Sequence, residues 1–465
     1  MYLCLLEVEE SRASQASCGN WTMDTKSGTE SKLNDPKLGS SSASQAAQML
    51  QPLRNELVQL LSILVQTNSV AIPPNGSETP AQNVLLEFLH AYDIDAELYD
   101  LDVLRESNHP YVRAERNYLG RHNLIARLSG RGNGRSLMLS GHIDTVPPGR
   151  NEWTDSPWSG VIHDDRLYGR GSYDMKGGLV AAVAVVAALK KSGLKLNGDL
   201  FCESVVDEEW GGGGGTLASR LRGNIADACV IPEPTDLAIF RASRGGYVAD
   251  IETHAGDSEN YFSKDEVVSP AIPMGRLLRW VEDLSRQRKT IVTSGAYQGF
   301  ADPAPVQVLA LEASSLEKDV PLSTPLAARA RLYFQFLPDE DVSVVISEIK
   351  QSFYSFCDQD PFFSIYRPDW TALFDPGLEG HELALDHDWT RILTNSASHV
   401  MECEPTVTAA EYPCDAFLNQ CYFGMPTLVF GPRGGGAHNA NEYVEISSVM
   451  TTANVLLAAA LDWCD

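Results

Sequence analysis

The feature that most restricts the fold is a helix predicted over residues 177–191, which is apolar on nearly every side. Such a helix must be covered all round, either by lipid or by the core of a sizeable domain. Its apolar run, 179–189, is shorter than the about 18 to 20 residues that a membrane span needs, and Lys190 and Lys191 follow it. We therefore expect a large globular core built around this helix.

Short apolar strands alternate with helices on both sides of that segment. Strands are predicted at 95–99, 123–127, 136–140, 199–206 and 228–231, and amphipathic helices at 57–64 and 83–92. The pattern returns near the C-terminus, with helices at 389–401 and 447–463 flanking a strand at 427–430. This alternation is typical of α/β proteins in which helices cover both faces of a central sheet.

The rhythm changes between residues 245 and 368. Strands at 247–253 and 328–336 are followed there by helices at 270–286 and 341–353, which predicts a small α+β insert. Residues 51–244 and 369–465 then form one domain, interrupted by the insert. Residues 1–50 are rich in Ser, Gln and Ala with weak periodicity, so we expect them to be a disordered extension.

Charge excludes some classes of partner. Lys and Arg number 36 against 62 Asp and Glu, a net charge of −26. A field of that sign repels phosphate backbones and anionic lipids, so we expect neither nucleic acid nor a membrane as a partner. The N-terminus turns acidic without a basic leader segment, and the nine cysteines show no C-x-x-C spacing. Both features favour a cytoplasmic protein with reduced thiols.

Two segments with metal-ligand side chains follow predicted strands or glycine turns. His142 and Asp144 come directly after the strand at 136–140, and such an imidazole can bind a metal while the carboxylate orients it. Taken alone, the pair is a weak signal, and a chance pair on a loop is the favoured interpretation. Asp174 lies among glycines that let the backbone bring one carboxylate close to a buried centre. It could instead simply cap the helix that follows.

Two further segments add acids and a second histidine. Asp207, Glu208 and Glu209 end a strand, and burying three adjacent acids requires a cation, although a solvated acidic loop is the alternative. Glu233 stands at the end of the next strand. His438 ends a glycine-rich loop that lacks the G-K-[ST] of a phosphate-binding loop, so it is either a metal ligand or a surface histidine.

The four segments together predict a centre for two divalent cations. Imidazole and carboxylate ligands without thiolate suit Zn²⁺, with Mn²⁺ or Co²⁺ as substitutes. The order of these residues resembles the dinuclear zinc peptidase family of aminoacylase-1, acetylornithine deacetylase, succinyl-diaminopimelate desuccinylase and carboxypeptidase G. The resemblance covers about residues 53–465 and is densest at 140–149, 168–178, 207–212 and 436–444.

The resemblance implies a fold and a set of metal ligands. The fold would be a zinc-exopeptidase-like catalytic domain with a mixed sheet, carrying an inserted lid that also forms a homodimer. Asp174 would bridge two metal ions, and the peptide bond after it would be cis. The remaining ligands would be His142 and Glu233 for one ion, and Glu209 and His438 for the other.

The resemblance also implies catalytic roles. Glu208 would act as general base and then general acid, and Asp144 would orient the imidazole of His142. The lid histidine that stabilises the oxyanion from the partner subunit would be His254. A catalytically silent binding protein is the alternative from another class, but such relatives usually lose a ligand or the base, and here all are present.

The implied reaction is hydrolysis of a C–N amide bond in a small molecule, with deacylation of an N-acyl amino acid or related amine as the leading hypothesis. A dipeptidase or carboxypeptidase is an alternative. In the family, an Arg three residues before a Pro of the lid reads the substrate carboxylate, but Gln335 stands at that position here, with Arg329 and Arg331 nearby. A third alternative is therefore a deformylase acting on an N-formyl amine that lacks a carboxylate.

Overall fold

The computed structural model describes residues 36–211, 213–254, 269–313 and 327–465, with side chains from residue 41 onward. The helices are α1 (Pro36–Leu50), α2 (Arg54–Gln66), α3 (Thr79–Ala91), α4 (Gly177–Ser192), α5 (Gly215–Leu221), α6 (Ala271–Arg288), α7 (Val342–Gln359), α8 (Asp388–Met401) and α9 (Ile446–Cys464).

The strands, in chain order, are β1 (Ala71–Ile72), β2 (Asn75–Gly76), β3 (Asp95–Asp100), β4 (His122–Leu128), β5 (Leu137–His142), β6 (Ile162–His163), β7 (Arg166–Tyr168), β8 (Leu200–Val205), β9 (Ala228–Ile231), β10 (Ile239–Ser243), β11 (Gly245–His254), β12 (Val306–Glu312), β13 (Ala327–Phe336), β14 (Asp369–Ala372), β15 (His381–Glu382), β16 (Val407–Ala410), β17 (Thr427–Val429), β18 (Gly434–Gly435) and β19 (Tyr443–Glu445).

A mixed sheet forms the centre of the molecule. Its strand order is β15-β10-β17-β9-β5-β8-β4-β3, and β16 also pairs with β10. Strand β5 is parallel to β8 and β9, whereas β3 and β4 run antiparallel at one edge. Leu137 and Leu139 face one hydrophobic cluster and Met138 faces another, so the sheet is covered on both faces. The predicted α/β class is confirmed.

Helix α4 lies in the larger cluster, as its composition predicts. Every residue from 177 to 189 is buried, and α4 packs against α9. By length and composition the helices at Ser172–Ser192 and Ile446–Cys464 could span a membrane, but 94% and 72% of their apolar windows are buried inside the protein. Both are therefore buried core helices of this protein.

The insert forms its own sheet and core. Strands β12-β13-β11-β14 pair in that order, and α6 and α7 pack on one face through side chains such as Trp280 and Phe353 against Phe334. Strand β14 begins at Asp369 and pairs with β11, so this sheet extends past the predicted boundary at residue 368. Its other face carries Val248 and Tyr333, which lie opposite each other on β11 and β13.

The prediction that residues 1–50 are disordered is wrong for 36–50, and residues 1–35 lie outside the described part of the chain. Helix α1 buries Ser42, Ala46 and Leu50, and the Ser42 hydroxyl donates to Asp462 Oδ1 at 2.6 Å. These positions are four residues apart, so they share one helix face. Because Ser42 and Ala46 are small, the sequence shows no clear apolar periodicity along this helix.

Candidate metal centre and cavity

The candidate ligands meet at one edge of the central sheet. His142 ends β5, Glu208 and Glu209 follow β8, and Glu233 follows β9. These strands are parallel neighbours, so their carboxyl ends lie side by side. Three segments far apart in sequence thereby place an imidazole and three carboxylates within reach of one another.

Asp174 enters from the segment between β7 and α4. Its backbone, with φ −115° and ψ 94°, breaks the helical path just before α4 begins. The peptide bond from Asp174 to Met175 is cis, which confirms the expectation from the family resemblance. The side chain lies at the carboxyl edge of the sheet beside His142.

One group of candidate ligands surrounds His142, which is buried. Its Nε2 lies 3.2 Å from Asp174 Oδ1 and 3.6 Å from Glu233 Oε1. Glu208 Oε2 is 4.0 Å from the same nitrogen. His142 with Glu208 and Glu233, or His142 with Asp174 and Glu209, brings potential ligand atoms within 4.8 Å of one another.

A second group surrounds His438. Its Nε2 lies 2.8 Å from Glu209 Oε2 and 3.3 Å from Asp174 Oδ2. The two imidazoles therefore face opposite oxygens of the same carboxylate, since His142 faces Oδ1. A carboxylate placed in this way can contribute one oxygen to each of two cations.

Asp144 contacts His142 and the backbone of Glu208 and Glu209. The Nδ1 atom of His142 lies 2.9 Å from the backbone carbonyl oxygen of Asp144 and 3.7 Å from its Oδ1. Its carboxylate accepts the backbone N–H groups of Glu208 and Glu209, each at 3.2 Å. A donor bond at Nδ1 leaves Nε2 free to bind a metal.

The charges of the cluster call for cations. Burial, followed by the charge of Asp415, raises the pKa of Glu208 well above its ordinary value. Burial likewise raises the pKa of Glu233, although the charge of His142 opposes it. Burial also opposes ionisation of Asp174, but hydrogen bonds from His142 and His438 outweigh it and lower the pKa. The donor set of imidazole and carboxylate without thiolate fits divalent zinc-like ions.

The cluster opens into a cavity of about 530 Å³ between the two sheets. Its charged lining consists of acids and one imidazole: Asp174, Glu208, Glu209, Glu233, Asp415 and His438. The rest is largely apolar or aromatic, including Val248, Leu309, Tyr333, Phe374, Leu378, Tyr412 and Phe417. Among the described residues, the lining includes no Lys or Arg.

The predicted oxyanion residue and the two nearby arginines are not among the cavity-lining residues. His254 ends β11, where its side chain is 43% exposed and its Nε2 lies 2.7 Å from Asp369 Oδ2. Arg329 and Arg331 pair with Glu252 and Asp250 on the neighbouring strand. Within this chain, the two arginines therefore pair with carboxylates of the insert.

Sequence reasoning missed two residues that shape the centre. Glu442 is fully buried and accepts three backbone N–H groups from the segment that carries Asp174. Asp415 lines the cavity and accepts the Thr216 hydroxyl, and burial raises its pKa to about 7. The one signal for Glu442 was its position four residues after His438.

Residues 138–462 match the family described as Peptidase family M20/M25/M40. Among known proteins, an N-formyl-4-amino-5-aminomethyl-2-methylpyrimidine deformylase from Bacillus subtilis (strain 168) is 24% identical over 438 residues, which cover 88% of this chain and 95% of the relative. A succinyl-diaminopimelate desuccinylase from Gluconacetobacter diazotrophicus is 42% identical over 118 residues, 24% of this chain and 30% of the relative.

Solved structures share the fold. The di-peptidase Dug1p from Saccharomyces cerevisiae has a TM-score of 0.73 at 16% identity, covering 91% of this chain and 99% of that one. Human carnosine dipeptidase 1 has a TM-score of 0.69, also at 16% identity, with 91% and 98% coverage. At this identity the likeness concerns the fold and not the substrate.

Proposed function

The chain belongs to Peptidase family M20/M25/M40 and is a metal-dependent hydrolase of amide bonds, and from that premise we propose that it removes a formyl or other small acyl group from an amine that carries an aromatic ring and no carboxylate. This choice favours the third of the substrate hypotheses drawn from the sequence. In the proposed reaction the product amine lacks a carboxylate, whereas deacylation of an N-acyl amino acid releases an amino acid.

The composition of the cavity carries this proposal. An amino-acid carboxylate entering it would find no Lys or Arg to pair with among the described lining residues, and burying an unpaired charge is costly. Aromatic side chains such as Tyr333, Phe374 and Phe417 instead offer surfaces on which a flat ring can stack. The full-length similarity to a deformylase of an aminopyrimidine supports the same substrate class.

The proposed ligands are those of the sequence prediction. His142 and Glu233 would hold one ion and Glu209 and His438 the other, with Asp174 shared between them. Bound ions of this kind supply Lewis acidity and lower the pKa of a coordinated water.

The other roles fall to residues beside the ligands. Glu208 would accept a proton from the attacking water and pass it to the nitrogen of the leaving amine. Its contact with His142, at 4.0 Å, supports a position at the centre of the cluster. Asp144 would fix His142 through its carbonyl oxygen and the 208–209 turn through its carboxylate. His254 would act only on the active site of a partner subunit, as oxyanion donor.

We further propose Zn²⁺ as the native metal, a homodimer formed through the inserted domain, and a cytoplasmic location. The absence of thiolate from the ligand set supports zinc with cobalt or manganese as substitutes. The exposed apolar residues of β12, Leu309 and Leu311, support an association surface on the insert.

The test is metal analysis together with a substrate panel. The panel holds an N-formyl aminomethylpyrimidine, N-acetylmethionine, N-acetylornithine and two dipeptides. About two zinc ions per chain with chelator-sensitive deformylation supports the proposal. Preferred cleavage of an N-acetyl amino acid or of a dipeptide would overturn the substrate class while leaving the amide chemistry intact.

A further inference from the structure

A buried arginine stands at the junction of the two sheets. Arg244 is 4% exposed, and its guanidinium donates to Gln335 Oε1 and to the carbonyl oxygen of Asp302, each at 2.7 Å. The rings of Tyr297 and Phe300 lie 5.3 and 5.7 Å from it. Each acceptor is an uncharged oxygen, so hydrogen bonds and contacts with aromatic rings hold the guanidinium, and these contacts include no ion pair.

This contact fixes the orientation of the Gln335 amide. A guanidinium can only donate, so the amide oxygen faces Arg244 and the NH₂ group faces away from it. Gln335 is 5% exposed and lies two residues from Tyr333 on β13, and therefore on the same face of the sheet. Gly246 on β11 lies opposite Gln335, and the Tyr333 ring packs over that glycine, so the Gln335 amide and the Tyr333 phenol are neighbours.

Tyr333 reaches the cavity because residue 246 is glycine. A Cβ atom at Gly246 would lie 2.9 Å from Tyr333 Cε2 and 3.1 Å from its hydroxyl oxygen. Gly246, Val248 and Tyr333 all line the cavity from the second sheet. The phenol therefore packs across the glycine with its hydroxyl close to the backbone of β11.

We propose that Arg244 and Gln335 are positioning residues that turn the Tyr333 hydroxyl proton toward the cavity, where it donates to an acceptor such as a ring nitrogen on the substrate's amine portion. The direction follows from counting protons. Arg244 donates to the amide oxygen, so the amide NH₂ would donate to the neighbouring phenol oxygen, and the single phenol proton would be left to donate onward.

The site of recognition follows from the layout of the cavity. The acidic cluster lies at the edge of the central sheet, where the amide bond would be hydrolysed. Tyr333 belongs to the sheet of the insert. Tyr333 thus meets the part of the substrate that is distant from the acyl carbon. The inference rests on the proposed function and narrows it to neutral heteroaromatic amines that carry a hydrogen-bond acceptor.

The test uses two substrates that differ in one ring atom, N-formylbenzylamine and N-formyl-3-(aminomethyl)pyridine, with the metal-loaded full-length enzyme. Tyr333→Phe should lower kcat/KM about tenfold for the pyridine and less than twofold for the benzyl compound, since a neutral hydrogen bond contributes roughly that factor. Tyr354→Phe, which removes a hydroxyl from an exposed ring on α7, should change neither.

The positioning residues have their own variants. In Gln335→Glu the new carboxylate accepts from both Arg244 and Tyr333, so the phenol proton turns away and the pyridine substrate should suffer the same selective loss. Arg244→Lys keeps a donor-only cation and should retain most of the preference, whereas Arg244→Met should not. Melting temperatures of all variants separate this selective loss from misfolding.

The outcomes distinguish the two levels of proposal. If the wild-type enzyme cleaves both formamides but Tyr333→Phe affects them equally or not at all, the hydrogen-bond chain is wrong and the deformylase proposal stands. If the wild-type enzyme cleaves neither formamide while cleaving dipeptides or N-acetyl amino acids, the proposed function fails and the inference falls with it.

Discussion

The buried carboxylate of Glu442 accepts the backbone N–H of Asp174 at 3.1 Å. The same carboxylate accepts the N–H groups of Gly171 and Tyr173, each at 3.0 Å, and pairs with Arg170. The backbone that carries the shared candidate ligand is therefore tied to Glu442, a residue 268 positions away in the chain that stands just before β19. Burial raises the pKa of Glu442 to about 7, although the charge of Arg170 and the backbone hydrogen bonds lower it.

We predict that Glu442→Ala lowers both stability and metal content. Removing the acceptor leaves three buried N–H groups and the Arg170 guanidinium unpaired, and breaking a buried pair costs about 3–5 kcal/mol. Chemical denaturation and metal analysis by mass spectrometry measure the two effects. Glu445→Ala, three residues further along at the end of β19 and half-buried, is the control and should change little. Unchanged metal content in Glu442→Ala would contradict the positioning role.

We predict that Glu208→Gln and Glu209→Gln fail in different ways. Glu208→Gln removes the proposed proton carrier, so kcat should fall by about 10²- to 10⁴-fold while metal content stays near that of the wild type. Glu209→Gln weakens the acid that faces His438 at 2.8 Å and should lower metal content. Steady-state kinetics and metal analysis on the same samples separate the two. A Glu208→Gln enzyme that keeps most of its activity would show that another group is the base.

We predict a pH dependence of stability from His381. Burial lowers the pKa of His381 from 6.5 to about 3, with its Nδ1 2.7 Å from the Ser243 hydroxyl. Between those values the unfolded chain binds a proton that the folded chain does not, so stability falls as the pH falls from about 6.5 toward 3. The slope from one such group is at most about 1.4 kcal/mol per pH unit.

Urea unfolding between pH 7 and 4.5 measures this slope. His381→Gln should be less stable at pH 7 but should show a shallower fall in unfolding free energy below pH 6.5. His90→Gln replaces an exposed imidazole and should keep the wild-type slope. Parallel curves for His381→Gln and the wild type would rule out His381 as a source of acid sensitivity.

We predict that helix α1 contributes to global stability. Leu50 is fully buried in the main hydrophobic cluster, so Leu50→Ala should cost about 2–5 kcal/mol of unfolding free energy. Gln48→Ala, on the exposed side of the same helix, should stay within about 0.5 kcal/mol. Equal effects of the two substitutions in urea unfolding would mean that α1 is not part of the cooperative core.

Much of the architecture could be predicted from local patterns. The apolar helix α4, the strand β5 and the strand β9 each carry a dense signal of their own, because they are buried on nearly every side. Strands β10 and β16 were not predicted. They are short, and they gain their place from pairing with each other in parallel, which a local window cannot register.

The sequence by itself determined which residues we propose as metal ligands, since His142, Asp174, Glu209, Glu233 and His438 stand at strand ends or glycine turns whose order indicates the family. Only the tertiary structure decided what surrounds them. Glu442 supports Asp174, Arg244 orients Gln335, and α1 joins the core through contacts between segments far apart in the chain. Hydrogen bonds and packing act over a few ångströms in space, so no spacing along the chain encodes them one by one.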